Sequence, residues 1–188
     1  VNAVRAQVDR VARLSADLRK LADLETQPIE QEPVQIDRLL AELGQTARAR
    51  SEAKDRAIRL VLPTAPWPLP PVAGDADLLY LAMYNLIDNA LKFTDAGDTV
   101  EIRASEDGAS VVIEVADTGP GIADEDLPHL GEELFRGQAA RTVEGSGLGL
   151  ALAEAIAGRH GGSMALRSRL GQGTVVSLRL PVARVTGS

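Results

Sequence analysis

Cysteine is absent from the 188 residues, which excludes a disulfide framework and a thiolate metal site and leaves the compartment open while fitting cytosol. Aromatics are scarce: two Phe, two Tyr and one Trp, so Leu, Val, Ile and Ala must fill whatever core the 45% apolar content supports. No apolar run approaches the roughly 20 residues that span a bilayer, and the chain opens on an amphipathic segment instead of a signal peptide. Basic residues are scattered, and 20 Lys and Arg against 27 Asp and Glu give a net charge of -7, which argues against a general nucleic-acid binder. No Gly-Lys pair occurs, which removes the P-loop. Neither of the two histidines, His129 and His160, lies near a pattern for a hydrolytic triad; His160, before Gly161-Gly162, reads as a capping or packing residue at a helix end.

A chain of this length can bury one substantial core with one further element outside it. That element is N-terminal. Val4, Val8, Val11, Leu14, Leu18, Leu21 and Leu24 alternate steps of three and four, predicting a helix with one apolar seam that calls for a partner helix. Thr26-Gln27-Pro28 ends this helix and Glu30-Gln31-Glu32-Pro33 reads as a short linker, with a domain boundary near residues 27 to 33. Beyond it come a helix over about 37–53, a strand over 58–62, a Pro-rich extended connection, and a long helix from an Asp75 N-cap to about Phe93. A hairpin turning at Asp107-Gly108 ends at Asp117, a charged lid covers 122–146, a helix starts inside 145–150, and strands over 163–168 and 174–180 flank Gly171-Gln172-Gly173.

Four motifs carry chemistry: Asn85-Leu86-Ile87-Asp88-Asn89-Ala90-Leu91-Lys92, Asp117-Thr118-Gly119-Pro120-Gly121, Gly145-Ser146-Gly147-Leu148-Gly149-Leu150 and Gly171-Gln172-Gly173-Thr174. Together they read as an ATP site. On a helix, positions 85, 89 and 92 fall within about 60° of one another beside an apolar face of Leu79, Ala82, Leu86, Ala90 and Phe93. Two amides and an ammonium on that edge suit Mg2+, which keeps several waters and takes other ligands from phosphates: Asn89 is the first choice of ligand, Asn85 the second or a water-positioning group, and Lys92 neutralises phosphate. Asp117, at a strand end, can accept from the exocyclic amine of adenine and would repel the carbonyl of guanine. Gly119 and Gly121 allow the backbone close to the base, and Thr174 adds a hydroxyl. Gly145, Gly147 and Gly149 lead into a helix whose unblocked N–H groups would meet phosphate, and their Gly-x-Gly-x-Gly spacing is not that of a dinucleotide fold.

In this order the motifs resemble the N, G1, G2 and G3 boxes of sensor histidine kinases of the GHKL ATP-binding superfamily, a resemblance that extends from the N-terminal helix to Leu180-Pro181. It implies an α+β fold, a two-layer α/β sandwich of the Bergerat type with a mixed sheet and helices on one face, preceded by a coiled-coil-type helix. It implies that residues 1–27 are the second helix of a dimerisation hairpin whose first, absent helix carries the phosphoacceptor histidine, that 28–182 are the catalytic domain, and that 183–188 are a tail. The nucleotide-binding set it implies adds Ile122, Leu148 and Leu150 to the residues above, and Arg136 and Arg141 join Asn85 and Lys92 as catalytic candidates. The implied partners are ATP, the hairpin of the same protein, a response regulator and a second copy through the N-terminal helix. The implied location is cytoplasmic, including as the cytoplasmic part of a membrane-bound sensor. Gyrase and chaperone ATPases of the superfamily place a glutamate where Asn85 stands, and an amide cannot be that general base. A serine kinase or ATPase of the same superfamily and a nucleotide-binding dimeric scaffold are the alternatives. Two departures stand out: Glu132-Glu133-Leu134-Phe135-Arg136 carries one aromatic where the F box usually pairs two, and Phe93 replaces a common tyrosine.

Overall fold

The computed structural model describes residues 2–26, 28–50, 55–125 and 148–183. Its elements in chain order are α1 (Asn2–Thr26), β1 (Glu32–Val34), α2 (Ile36–Ala49), β2 (Ala57–Val61), β3 (Val72–Gly74), α3 (Ala76–Lys92), β4 (Thr99–Asp107), β5 (Ser110–Asp117), α4 (Gly149–Arg159), β6 (Ser163–Arg169) and β7 (Gly173–Pro181).

Period-two patterning builds the sheet. Val100, Ile102 and Ala104 of β4, Val111, Ile113 and Val115 of β5, and Val176, Leu178 and Leu180 of β7 are all buried, and the pairing sets Ile102 opposite Val115 and Ile113 opposite Leu178. Five strands run in the order β2-β4-β5-β7-β6, with β2 parallel to β4 and every other pair antiparallel. On the opposite face Arg103 donates to Glu114 at 2.8 Å and to Glu101 at 3.0 Å. A charged face of this kind belongs in water, so the domain has two layers, as the resemblance implies.

Helical periodicity supplies the second layer. α2 buries Ile36, Leu40, Leu43, Gly44 and Ala47; α3 buries Leu79, Ala82, Met83, Leu86, Ile87, Ala90 and Leu91. α4 buries Ala151, Leu152, Ala153, Ile156 and Ala157. α3 is central, packing on α2, α4, β4 and β5. Each fully buried Leu or Ile contributes about 1.5–3 kcal/mol, so rotating α3 to bring its polar edge inward would forfeit several such terms. Asp75 caps α3 as its position suggests, its carboxylate accepting from the N–H groups of Asp77 and Leu78 at 2.9 and 3.0 Å.

Four local expectations change. Glu32-Pro33, read as linker, pairs in β1 with β3, Pro33 opposite Ala73; three residues are too few to show alternation, and a two-stranded ribbon tolerates proline. β3 itself emerges from the end of the Pro-rich connection because Val72 is fully buried and bridges Val182. α2 ends at Ala49, with Arg50 as its C-cap. The α1 seam divides: Leu24 is buried and Leu21 half-buried on the domain core, beside α4, while Val8, Val11 and Leu18 are exposed.

His160 is buried and structural. Its Nδ1 lies 2.7 Å from the carbonyl of Ile156, and its Nε2 accepts the N–H of Asp75 at 3.1 Å, which together define the neutral Nδ1–H tautomer. The imidazole thus ties the end of α4 to the start of α3. A Cβ on Gly74 would strike the same ring. We expect His160→Ala to lower unfolding free energy by about 2–4 kcal/mol, from the cavity and the stranded Asp75 N–H. Urea denaturation checks this, and a change below about 0.5 kcal/mol contradicts the tie.

Candidate nucleotide site

The seating of α3 leaves Asn85, Asn89 and Lys92 along one edge, all three half-buried. Nδ2 of Asn85 is buried and has no hydrogen-bond partner among the described residues. A Cβ placed on Gly149, the first residue of α4, would lie 3.4 Å from Oδ1 of Asn85, so the start of α4 meets the amide edge of α3. A buried amide donor without a partner costs about 1–3 kcal/mol, and it is a fit for an oxygen-rich ligand at this junction. Leu148, fully buried, anchors the turn into α4, with Leu150 half-buried two residues on.

Lys92 is held, not loose. Its Nζ lies 2.6 Å from Oδ2 of Asp88 one turn earlier, and Arg50 Nη1 donates to the other carboxylate oxygen at 2.7 Å. Asp88 and Arg50 were absent from the sequence-derived set. The i,i+4 spacing of Asp88 and Lys92 was readable on a helix, but Arg50 arrives from α2, and no local pattern signals that.

The second half of the site lies past the C-terminus of α3. β5 and β7 pair so that Asp117 faces Thr174. The Asp117 carboxylate accepts the N–H of Gly119 at 3.0 Å and the N–H of Thr174. Burial raises its pKa above the ordinary carboxylate value; the two N–H groups oppose that rise and the negative charge of Asp98 adds to it. Gly173 has φ +100°, and a Cβ there would land on the carbonyl oxygen of Asp117, so only glycine lets the strands close beneath the carboxylate. Gly119 packs against the end of α3, where a Cβ would come 2.5 Å from the carbonyl oxygen of Phe93. α3 therefore links the two halves, with Asn85 and Phe93 about 12 Å apart along its axis.

Ser168 of β6 is a further residue that sequence reasoning missed. Its hydroxyl lies 2.8 Å from Oγ1 of Thr174, donates to the carbonyl of Gly173 at 2.9 Å, and accepts the N–H of Ile122 at 2.9 Å. Gly171 N–H also donates to the carbonyl of Pro120 at 2.7 Å. The β6–β7 turn thus holds the 118–122 segment and the buried Gly121 in place. Serine carries no signal of its own here; only the register of Ser168 opposite Thr174 creates the contact. Gly145, Gly147, Arg136 and Arg141 lie outside the described residues.

Residues 74–184, which hold both halves, match the family described as histidine kinase-, DNA gyrase B-, and HSP90-like ATPase. The chain belongs to this family. Within it, the chain is 45% identical over 136 residues to the histidine protein kinase DivJ of Caulobacter vibrioides, covering 72% of this chain and 22% of that protein. It is 33% identical over 184 residues to the sensor-like histidine kinase SenX3 of Mycobacterium tuberculosis, covering 95% of this chain and 43% of that one. Full-length ShkA, crystallised in complex with AMPPNP, superposes on 98% of this chain and 39% of its own length with a TM-score of 0.79 at 30% identity. The chain spans less than half the length of these curated relatives. The mixed five-stranded sheet with its helices is thus the histidine kinase type of this ATPase family.

The raised pKa of Asp117 makes the folded domain bind a proton more readily than the unfolded chain. Its ionisation therefore lowers stability as pH rises from the ordinary carboxylate range through the raised folded value, and the penalty is complete above that value. Asp117→Asn cannot ionise. Thermal unfolding of both proteins without nucleotide is expected to show the parent gaining on Asp117→Asn as pH falls from neutrality toward that window; parallel curves would contradict the buried-charge assignment.

Proposed function

We propose that this chain is the ATP-binding catalytic part of a sensor histidine kinase, which moves the γ-phosphoryl group of ATP to a histidine on a dimerisation hairpin for relay to a response regulator. The observation that carries the reading is the junction along α3: an unsatisfied Asn85 amide beside the start of α4 at one end, and buried Asp117 beyond Phe93 at the other. Adenine at Asp117 and phosphates at Asn85 would use the full length between them.

In this reading Asp117 accepts from the exocyclic amine of adenine, with both of its backbone hydrogen bonds orienting the carboxylate. Thr174, held by Ser168, adds a hydroxyl; Gly119, Gly121 and Ile122 line the approach to the base. The buried N–H of Asn85 meets a phosphate oxygen or a positioned water, and the first turn of α4 presents its positive end to the phosphates. Asn89, with Asn85 beside it, would hold Mg2+, which supplies charge neutralisation; among the described residues no three His, Cys, Asp or Glu side chains form a metal cage, so its other ligands would be phosphate and water. Asn85 offers no general base, and water needs one. A neutral imidazole brings its own lone pair: the N–P bond forms as the bond from γ-phosphorus to the bridging oxygen breaks, ADP leaves, and the remaining imidazole N–H proton is shed to solvent. Arg136 and Arg141, in the 122–146 segment that the sequence reads as a lid, would complete the charge neutralisation.

The domain reading follows. Residues 1–27 are the second hairpin helix, 28–182 the catalytic domain and 183–188 a tail. The exposed Val8, Val11 and Leu18 support pairing with the missing helix and a second copy in the intact protein. A cytoplasmic location suits ATP use, and among the described residues no helix is long and apolar enough to cross a membrane.

Phosphotransfer is tested by mixing the chain with γ-labelled ATP, magnesium and a separate protein carrying the full hairpin. Acid-labile, alkali-stable label on the hairpin is the expected result; no label despite ATP binding, repeated with the intact parent, would favour a scaffold. By calorimetry, Asp117→Ala should weaken ATP about tenfold or more and erase the preference over GTP, a loss of about 1.4 kcal/mol or more. Asn89→Ala should reduce the magnesium-dependent part of binding. Unchanged affinity in both variants would sink the site assignment.

A further inference from the structure

Alternation places Met164, Leu166 and Ser168 of β6 on one face of the ladder, opposite Leu178, Val176 and Thr174 of β7. Two apolar pairs that pack on the core are thus followed, at the end where Asp117 lies, by a pair of hydroxyls. Thr174 is only 8% exposed, so its hydrogen bonds have to be found within the fold or on a ligand.

Ser168 Oγ makes three contacts: 2.9 Å to the carbonyl oxygen of Gly173, 2.9 Å to the amide nitrogen of Ile122 and 2.8 Å to Oγ1 of Thr174. A serine hydroxyl brings one proton and two lone pairs. The carbonyl can only accept and the amide can only donate, so the serine proton goes to Gly173 and one lone pair to Ile122. A lone pair is what remains for Thr174, and that contact is a hydrogen bond only if Thr174 donates. The backbone N–H of Thr174 is committed as well, to the Asp117 carboxylate. Thr174 therefore spends both of its protons inside the fold, and its Oγ1 keeps only lone pairs for anything bound beside Asp117.

We propose that Ser168 is a positioning residue that acts through Thr174: by drawing the threonine proton inward it makes Thr174 an acceptor toward the purine, so that Thr174 and Asp117 together favour an amino group at position 6 over a carbonyl oxygen. Without Ser168 the Thr174 hydroxyl is free to turn and donate, and a 6-oxopurine gains the donor that the parent withholds. Selectivity of this kind comes from denying a hydrogen bond to the wrong ligand as much as from giving one to the right ligand. It rests on the assignment of adenine to Asp117.

Calorimetry with magnesium-ATP and with inosine triphosphate, which carries a carbonyl oxygen where ATP carries the amine, tests it through the ratio of the two affinities. Loss of the Ile122 contact in Ser168→Ala is expected to weaken both nucleotides alike and so cancels in the ratio; the freed threonine donor should narrow the preference for ATP about fivefold or more. In a Thr174→Val background, Ser168→Ala should leave the ratio where Thr174→Val alone puts it. Ser168→Cys, a side chain of similar shape that donates and accepts weakly, should narrow the ratio in the same direction and takes the place of Ser168→Ala if that variant does not fold. An unchanged ratio in the folded variant would mark a purely structural role and overturn the proposal, as would narrowing that persists in full without the Thr174 hydroxyl. With a parent that prefers ATP, either result overturns this inference alone. A parent with no preference for ATP over inosine triphosphate would overturn the assignment of adenine to Asp117 and this inference together.

Discussion

The antiparallel pairing of β5 with β7 sets the register on which the candidate nucleotide site depends. Val111, Ile113 and Val115 face the helices together with Val176, Leu178 and Leu180, and a slip of one residue would turn every one of them to the solvent face. Apolar burial therefore locks the ladder, and the locked ladder sets Asp117 opposite Thr174 at its end. A carboxylate in that position is reached by two backbone N–H groups and packed over a glycine that cannot be replaced without collision. The chemistry is placed by packing forces that have no chemistry of their own.

The same logic runs through α3. Its apolar residues take up the surface over β4 and β5, so the amides and the lysine remain along the margin, between α4 and the end of β5. Two unfavourable groups sit at opposite ends of this margin, a buried amide donor without a partner and a carboxyl whose charge burial disfavours. Strain of this kind concentrates where ligands bind, because a ligand that satisfies the groups stabilises the fold by mass action. His160, by contrast, has both ring nitrogens engaged between α4 and Asp75, and it serves the scaffold.

Family and fold bear on the two halves differently. The matched region starts at Gly74 and contains the Asp117 half entire, whereas Arg50 reaches Asp88 of α3 from α2, outside that region. Contacts of this kind fall outside motif boxes, because a box records what stands near in sequence. Ser168 is a second instance: an ordinary strand serine that joins Thr174 to Ile122 across a turn.

Periodicity and turn chemistry determined α1, α3, α4, the β4–β5 hairpin and the β6–β7 pair from residues alone, because each is long enough for a period of 3.6 or 2 to repeat, and Asp75 and Gly108 punctuate them. The amide edge of α3 and the position of Asp117 at a strand end were equally local, and so legible. β1 and β3 were not, since three-residue strands carry no period and exist only because Val34 and Val72 find cover elsewhere in the fold. Tertiary structure alone decided that Leu21 and Leu24 of the α1 seam turn to the domain while Val8, Val11 and Leu18 do not. It alone brought Arg50 to Asp88, Ser168 to Thr174 and Gly149 to Asn85. The physical reason is the same in each: a sequence specifies which side chains share a face over one or two turns, but which faces meet depends on how the whole apolar surface is most completely buried.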